Sequence, residues 1–246
     1  MKTLAVYSIK GGVGKTAAAV NLAYFAAKDG LRTLIWDLDP QAASTFYFRV
    51  KPKLKKGIKK AVQGKSSIDE EIKATDFENL DLIPADFSYR KLDLFLDAED
   101  KPKKRISEIL KPVENDYDII IIDTPPGITL LSESMLRAAD LITVPLIPST
   151  LSLRTGEMLL DYLKENKLKD EKPAVFFSMV DRRKKLHRDV MEDPGLKRIN
   201  LLESFIPYSA DVEKMGINRS PVGVYNPRSR AAEAYSSLWK ELSELL

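Results

Sequence analysis

The sequence predicts an α/β protein whose mostly parallel, doubly wound central sheet is the middle of three layers. Three observations carry this. Short apolar runs of strand length alternate with stretches of helical spacing along the chain. The strongest run, Tyr117-Asp-Ile-Ile-Ile-Ile-Asp123, is continuously apolar, as a strand buried on both faces must be. A first run, Thr3–Ile9, passes through a glycine-rich loop into a helical stretch, Ala17–Ala27, and Arg32–Asp37 then completes a βαβ unit with its right-handed crossover.

The loop is Lys10-Gly-Gly-Val-Gly-Lys-Thr16. Gly11, Gly12 and Gly14 permit positive φ, so successive N–H groups can turn inward around an anion. The helix start beyond adds unsatisfied donors and the positive end of a dipole. Lys15 can reach β- and γ-phosphates and the Thr16 hydroxyl can ligate Mg²⁺. A glycine-rich turn with a surface lysine is the alternative, but loop, Lys-Thr pair and flanking elements agree on phosphate binding. The fold expected is therefore that of a P-loop NTPase.

Two carboxylates fit beside it. Asp37-Leu-Asp-Pro-Gln41 ends the second strand, at the edge where parallel sheets place their ligands. Asp123 ends the Ile-rich strand and is suited to hold Mg²⁺ through water.

One departure from the usual G-x-x-x-x-G-K-[ST] pattern is informative: Ile9 stands where glycine is usual, and an extra lysine, Lys10, heads the loop. This resembles the deviant Walker A motif of the ParA/MinD ATPases. Asp37–Gln41 resembles that family's D-x-D-P-Q element, Asp123-Thr-Pro-Pro-Gly127 its D-x-P-P-G segment, and Leu80–Pro84 its following strand. The resemblance spans nearly the whole chain. It implies an ATPase, slow and partner-stimulated, in which Lys10 reaches the phosphates of a second copy across an ATP-sandwich dimer. It makes Lys10, Lys15 and Asp39 catalytic. It gives the nucleotide Lys10, Gly11, Gly12, Val13, Gly14, Lys15, Thr16 and Ala17, with Pro207 and Tyr208 beside the adenine. Thr16, Asp39 and Asp123 serve Mg²⁺. Two positions depart from the family: Ala17 replaces a hydroxyl that touches the α-phosphate, and Ala42 replaces a glycine.

Bulk properties narrow the class. Residues 1–246 are expected to form one ATPase domain, with 44% hydrophobic residues for its core. The absence of cysteine rules out disulfides and a cysteine-held iron–sulfur cluster, and with it the nitrogenase iron protein. No apolar run reaches the length of a membrane span, and the N-terminus reads as a buried strand rather than a signal peptide, so a cytoplasmic location is expected. Net charge is only +3, so clustering matters more than the total. Residues 49–65 hold many lysines and no acid, and read either as a solvated face or as a patch for an anionic partner.

Further along, residues 67–75 are expected to be helical, 97–105 an exposed loop or helix start, and 132–139 and 151–166 helices. Strands are expected at 140–148, ending near Pro145, at 173–180, and at 201–206. Arg182, Arg183, Lys184, Lys185 and Arg188 place five cations within seven residues. They form either a solvated loop or a non-specific grip on DNA phosphates, with Arg219, Arg228 and Arg230 as secondary candidates. His187 is expected to pack rather than catalyse. The resemblance implies nucleoid association, a ParB-like or cargo adaptor, and positioning of a chromosome, plasmid or protein assembly. Two rivals share the loop: a MinD-like membrane switch, and a biosynthetic enzyme like dethiobiotin synthetase or the cobyrinic acid amidating enzymes. The last helix, with two glutamates and one lysine in 238–246, reads as core-packing rather than lipid-seeking.

Overall fold

The computed structural model describes residues 1–168, 173–193, 195–196 and 199–246. Among them the strands are β1 (Lys2–Val6), β2 (Thr33–Asp37), β3 (Lys73–Ala74), β4 (Leu80–Ile83), β5 (Ile119–Asp123), β6 (Leu141–Leu146), β7 (Ala174–Phe177) and β8 (Asn200–Leu201). They form one sheet in the order β3-β4-β2-β5-β1-β6-β7-β8. Every neighbouring pair is parallel except β3 with β4.

The helices are α1 (Lys15–Lys28), α2 (Ala43–Tyr47), α3 (Ile58–Val62), α4 (Leu92–Asp97), α5 (Arg105–Leu110), α6 (Leu130–Ala138), α7 (Thr150–Glu165), α8 (Lys185–Met191), α9 (Ala210–Glu213), α10 (Met215–Asn218), α11 (Val222–Tyr225) and α12 (Arg230–Ser243). Side chains alternate across each strand, so one run feeds two cores. Leu4, Val6, Ile35, Ile119 and Ile121 pack under α1 and α12. Leu34, Trp36, Ile120 and Ile122 pack on the opposite face with α3 to α6. Ala5, Tyr7, Ile142 and Val144 join α7 on that same side. This is the three-layer arrangement expected. Each fully buried isoleucine contributes about 1.5–3 kcal/mol.

Helix α12 presents Ala231, Ala232, Tyr235, Leu238, Trp239 and Leu242 to the core. Its Trp239 indole donates to Asp29 at 2.7 Å. The apolar face of the last helix is thus already covered, as expected for core packing. No helix of the described residues is long and apolar enough to cross a membrane.

Several expectations need correction. Residues 67–75 form a short 3₁₀ turn (Asp69–Glu71) and the edge strand β3. Glu71 is buried there and accepts the backbone N–H groups of Lys55, Lys56 and Gly57, a demand that helical spacing does not reveal. Strand β6 does end near Pro145, as expected, one residue later at Leu146, with Pro145 opposite Phe176 of β7. Strand β1 pairs with β6 as far as Val6 opposite Thr143, so Pro145 lies beyond the register of that pairing. The last strand is only Asn200–Leu201, followed by an isolated parallel bridge from Val180 to Pro207. Residues 97–105 combine both expectations, a 3₁₀ turn at Pro102–Lys104 running into α5.

Candidate functional site

The sheet brings three strand ends to one level. Val6 of β1 stands beside Asp123 of β5, and Asp123 beside Asp37 of β2. All three point their carboxyl ends at the same edge, where the loop between β1 and α1 emerges. Gly12 and Gly14 take φ of +73° and +91° in that loop. Gly14 is fixed twice over: a Cβ there would lie 2.8 Å from the Ser178 Oγ. Lys15 and Thr16 therefore begin α1 itself, two residues earlier than the apolar run suggests.

Lys15 is buried, and its Nζ donates to the Lys10 carbonyl at 2.9 Å, curling the loop around a hollow. Burial lowers its pKa, while Asp123 and Asp39 oppose that shift. The Thr16 hydroxyl lies 3.4 Å from Asp123 Oδ1 and the Ser44 hydroxyl donates to Asp123 Oδ2 at 2.7 Å. Asp37 accepts both the backbone N–H (2.8 Å) and the hydroxyl (2.7 Å) of Thr45. The Thr45 hydroxyl in turn accepts the Ala85 N–H at 3.0 Å, tying β2, α2 and the end of β4 together. Asp39 is half-buried and accepts the Gln41 N–H at 2.9 Å in a tight local turn.

Burial raises the pKa of both Asp37 and Asp123, and for Asp37 the neighbouring Asp123 charge adds to it. The site thus concentrates more carboxylate than the single Lys15 neutralises. Among the described residues no three His, Cys, Asp or Glu side chains gather to hold a metal alone. The donors present, Thr16, Asp39 and Asp123, are all oxygen, the set that suits a hard cation completed by phosphate and water. These residues fit Mg²⁺ with a nucleotide.

Other expected residues take their places around this centre. Pro207 and Tyr208 line a small cleft of about 70 Å³ with Gly14, Ala17 and Ser178, directly beside the phosphate loop. Ala17 and Val13 flank the loop, Ala17 half-buried and Val13 buried. Lys10 extends outward, its Nζ 3.3 Å from the Leu151 carbonyl on the first turn of α7. Ala42 adopts φ +54°, a region that favours glycine, at a cost of about 1–2 kcal/mol. The Tyr7 hydroxyl donates to the Gly127 carbonyl at 2.8 Å and anchors the Pro-Pro-Gly turn to β1.

The basic residues divide. Arg182 and Arg183 line a groove of about 720 Å³ together with Arg230, Tyr208 and the acids Glu203 and Glu233. Arg182 stacks on Phe205, and Arg183 pairs with Asp181. Arg188 donates to the carbonyls of Arg182 and Arg183. Lys184, Lys185 and Arg228 are exposed. Arg219 lies outside that groove, stacked on Phe46. His187 is buried and accepts the Asp181 N–H at 3.1 Å, a packing role as expected. Sequence reasoning missed Ser44, Thr45 and the buried Asp37; the hydroxyl pair shortly after Asp-Pro-Gln is the only signal that pointed to them.

Comparison with known proteins agrees with this geometry. The AAA_31 family model, an AAA domain, matches residues 1–175. The sporulation initiation inhibitor protein Soj of Bacillus subtilis is 31% identical over 248 residues, covering 98% of each chain. A putative plasmid partition protein from Borrelia burgdorferi, solved with AMPPNP, shares the fold at a TM-score of 0.87 and 21% identity, covering 100% of this chain and 99% of that one. Cobyrinic acid a,c-diamide synthase from Mycobacterium smegmatis, with a bound ATP analog and magnesium, gives 0.85 at 25% identity, covering 99% and 94%.

Proposed function

The chain belongs to the ParA/Soj family of P-loop ATPases, and on that premise we propose that it is an ATP-driven switch that positions or segregates a cargo. The whole of residues 1–246 acts as one ATPase domain. The observation that carries the reading is the meeting of Lys15, Thr16, Asp39 and Asp123 at one sheet edge beside a loop whose Gly12 and Gly14 take positive φ.

The residues divide the work. Backbone N–H groups of Gly11 to Thr16 cradle the phosphates of ATP, and Lys15 neutralises the β- and γ-phosphates. Ala17, Pro207 and Tyr208 border the base. Thr16 and Asp123 hold magnesium, with Asp39 at its edge; the ion, when bound, neutralises charge on the phosphates. Asp39 orients the attacking water, which phosphoryl transfer needs more than it needs a strong base. Lys10 is held by one exposed bond to Leu151, so it is free to swing to the phosphates of a second copy. The resulting dimer doubles the cationic surface of Arg182, Arg183, Lys184, Lys185 and Arg188, with Arg228 beyond it, and grips DNA without reading sequence. Hydrolysis is slow until a ParB-like or cargo adaptor stimulates it, and the protein works on the nucleoid in the cytoplasm.

The test is DNA retention with ATP, with ADP, and with Lys15→Ala in ATP. Retention by the wild type in ATP alone is expected, and equal retention in all three removes the switch. Hydrolysis that rises with a small carboxylic acid and ignores DNA would instead favour an amidating enzyme. ATP-dependent binding to anionic vesicles would favour a membrane switch.

A further inference from the structure

Two of the shortest helices in the molecule hold each other's ends. Helix α2 stops at Tyr47 and α10 at Asn218. Just beyond each lies an arginine at positive φ, Arg49 at +59° and Arg219 at +46°. Each reaches back to the other helix. Arg49 donates to the carbonyls of Asn218 (3.0 Å) and Arg219 (3.2 Å). Arg219 donates to the Phe46 carbonyl (3.1 Å) and lays its guanidinium over the Phe46 ring, 4.5 Å from its centroid. Helix C-termini leave carbonyls unsatisfied and carry the negative end of the dipole, so each cation caps the other helix. Two non-glycine residues in the left-handed region are strained, and the exchange of capping bonds offsets that strain.

The consequence lies at the other end of α2. A five-residue helix has no stability of its own, yet α2 supplies Ser44 to Asp123 and Thr45 to Asp37. Helix α10 in turn rests on α1, where Asn21 Nδ2 meets the Met215 sulfur at 3.3 Å. The first turn of helix α1 carries Thr16, which returns to Asp123. The contacts close a ring: Asp123, Ser44, α2, the arginine pair, α10, α1, Thr16 and back to Asp123.

We propose that Arg49 and Arg219 are positioning residues that clamp α2 to α10 and so fix the Asp123 carboxylate for a magnesium ion. This rests on the reading of Asp123 as a magnesium residue. It also withdraws Arg219 from the DNA surface.

Arginine and lysine separate the roles, because lysine keeps the charge but loses the planar fork and the stacking. The experiment titrates a fluorescent ADP against the whole chain, with MgCl₂ varied and with EDTA, for the wild type, Arg219→Lys, Arg49→Lys and Asp123→Asn. Outer contacts of a metal residue are typically worth about 10–100-fold in metal affinity. One step further out, we expect the two lysine variants to raise half-saturating magnesium about 3–10-fold. Binding in EDTA should stay unchanged, and DNA retention at saturating magnesium should stay within about twofold. Ligand-free amide exchange over residues 43–50 should quicken in both variants. Two outcomes overturn the clamp. In one, the lysine variants match the wild type while Asp123→Asn weakens magnesium dependence. In the other, they lose binding equally with and without magnesium. If Asp123→Asn itself leaves magnesium dependence untouched, the site reading fails and the clamp with it.

Discussion

The edge above β1, β2 and β5 and the surface beyond β7 are both rich in charge, yet they are built differently. At the first, the two buried carboxylates at the strand ends are met from helix α2, Asp123 by the Ser44 hydroxyl and Asp37 by the Thr45 hydroxyl, while Lys15 and Asp39 find partners within their own loops, the Lys10 carbonyl and the Gln41 N–H. At the second, most partners are local: Arg183 pairs with Asp181 two residues away and Arg188 with carbonyls five and six residues back, and Arg182 alone of these three arginines reaches further, to the Phe205 ring. A centre held by distant elements fixes a geometry, as chemistry requires. A surface of locally tethered cations supplies charge without register, which suits a polyanion read by its backbone alone.

The contrast is open to direct attack. The largest effect should come from Asp39→Ala: hydrolysis falls about 100-fold, as for loss of one positioned polar group, while ADP affinity changes little. Single-turnover hydrolysis alongside nucleotide titration checks this, and a parallel loss of affinity would make Asp39 a binding residue. The joint change Lys184→Ala with Lys185→Ala should leave hydrolysis intact and flatten the log–log salt dependence of DNA binding by the dimer by up to about 3.6, since each of its four lost phosphate contacts carries about 0.9. An unchanged slope would return those lysines to solvent.

The smallest effect is on stability. Burial raises the pKa of Asp37, so the folded chain keeps a proton that the unfolded chain loses near pH 4. The unfolded state then binds fewer protons, and stability falls as pH climbs from the ordinary carboxylate range towards the raised value. His187 works in the opposite sense, its pKa lowered by burial. The comparison to make is therefore between wild type and Asp37→Asn. Thermal denaturation without nucleotide should show the variant gaining on the wild type by a few degrees between pH 5 and pH 8, where about 1 kcal/mol corresponds to 2–4 °C. A constant difference would mean that Asp37 stays ionised throughout.

The same contrast explains what could be read from the chain. Lys10 to Thr16 was legible because backbone freedom, dipole and side chains are contiguous there, and one short segment specifies the whole phosphate cradle. Asp123 was legible because a continuously apolar strand announces where it ends. Ser44, Thr45, Arg49 and Arg219 were not, since α2 and α10 are too short to show periodicity and their meaning depends on which helix lies against which. Pro145 marked the end of β6 to within one residue, because a residue without an N–H cannot extend the ladder far. Charge alone makes Arg219 a DNA candidate, and nothing in the sequence signals its contact with Phe46.

The placement of β1 has a consequence for biogenesis. Strand β1 precedes both of its neighbours in the chain, β5 and β6, whose pairing residues begin at Ile119 and Leu141. Until those segments are synthesised it has no neighbour on either side, and an unpaired apolar strand is prone to self-association. The glycine-rich loop after β1 therefore gains its full support only once the chain has grown past Leu141. Nascent chains halted before residue 119 should need a chaperone to stay soluble.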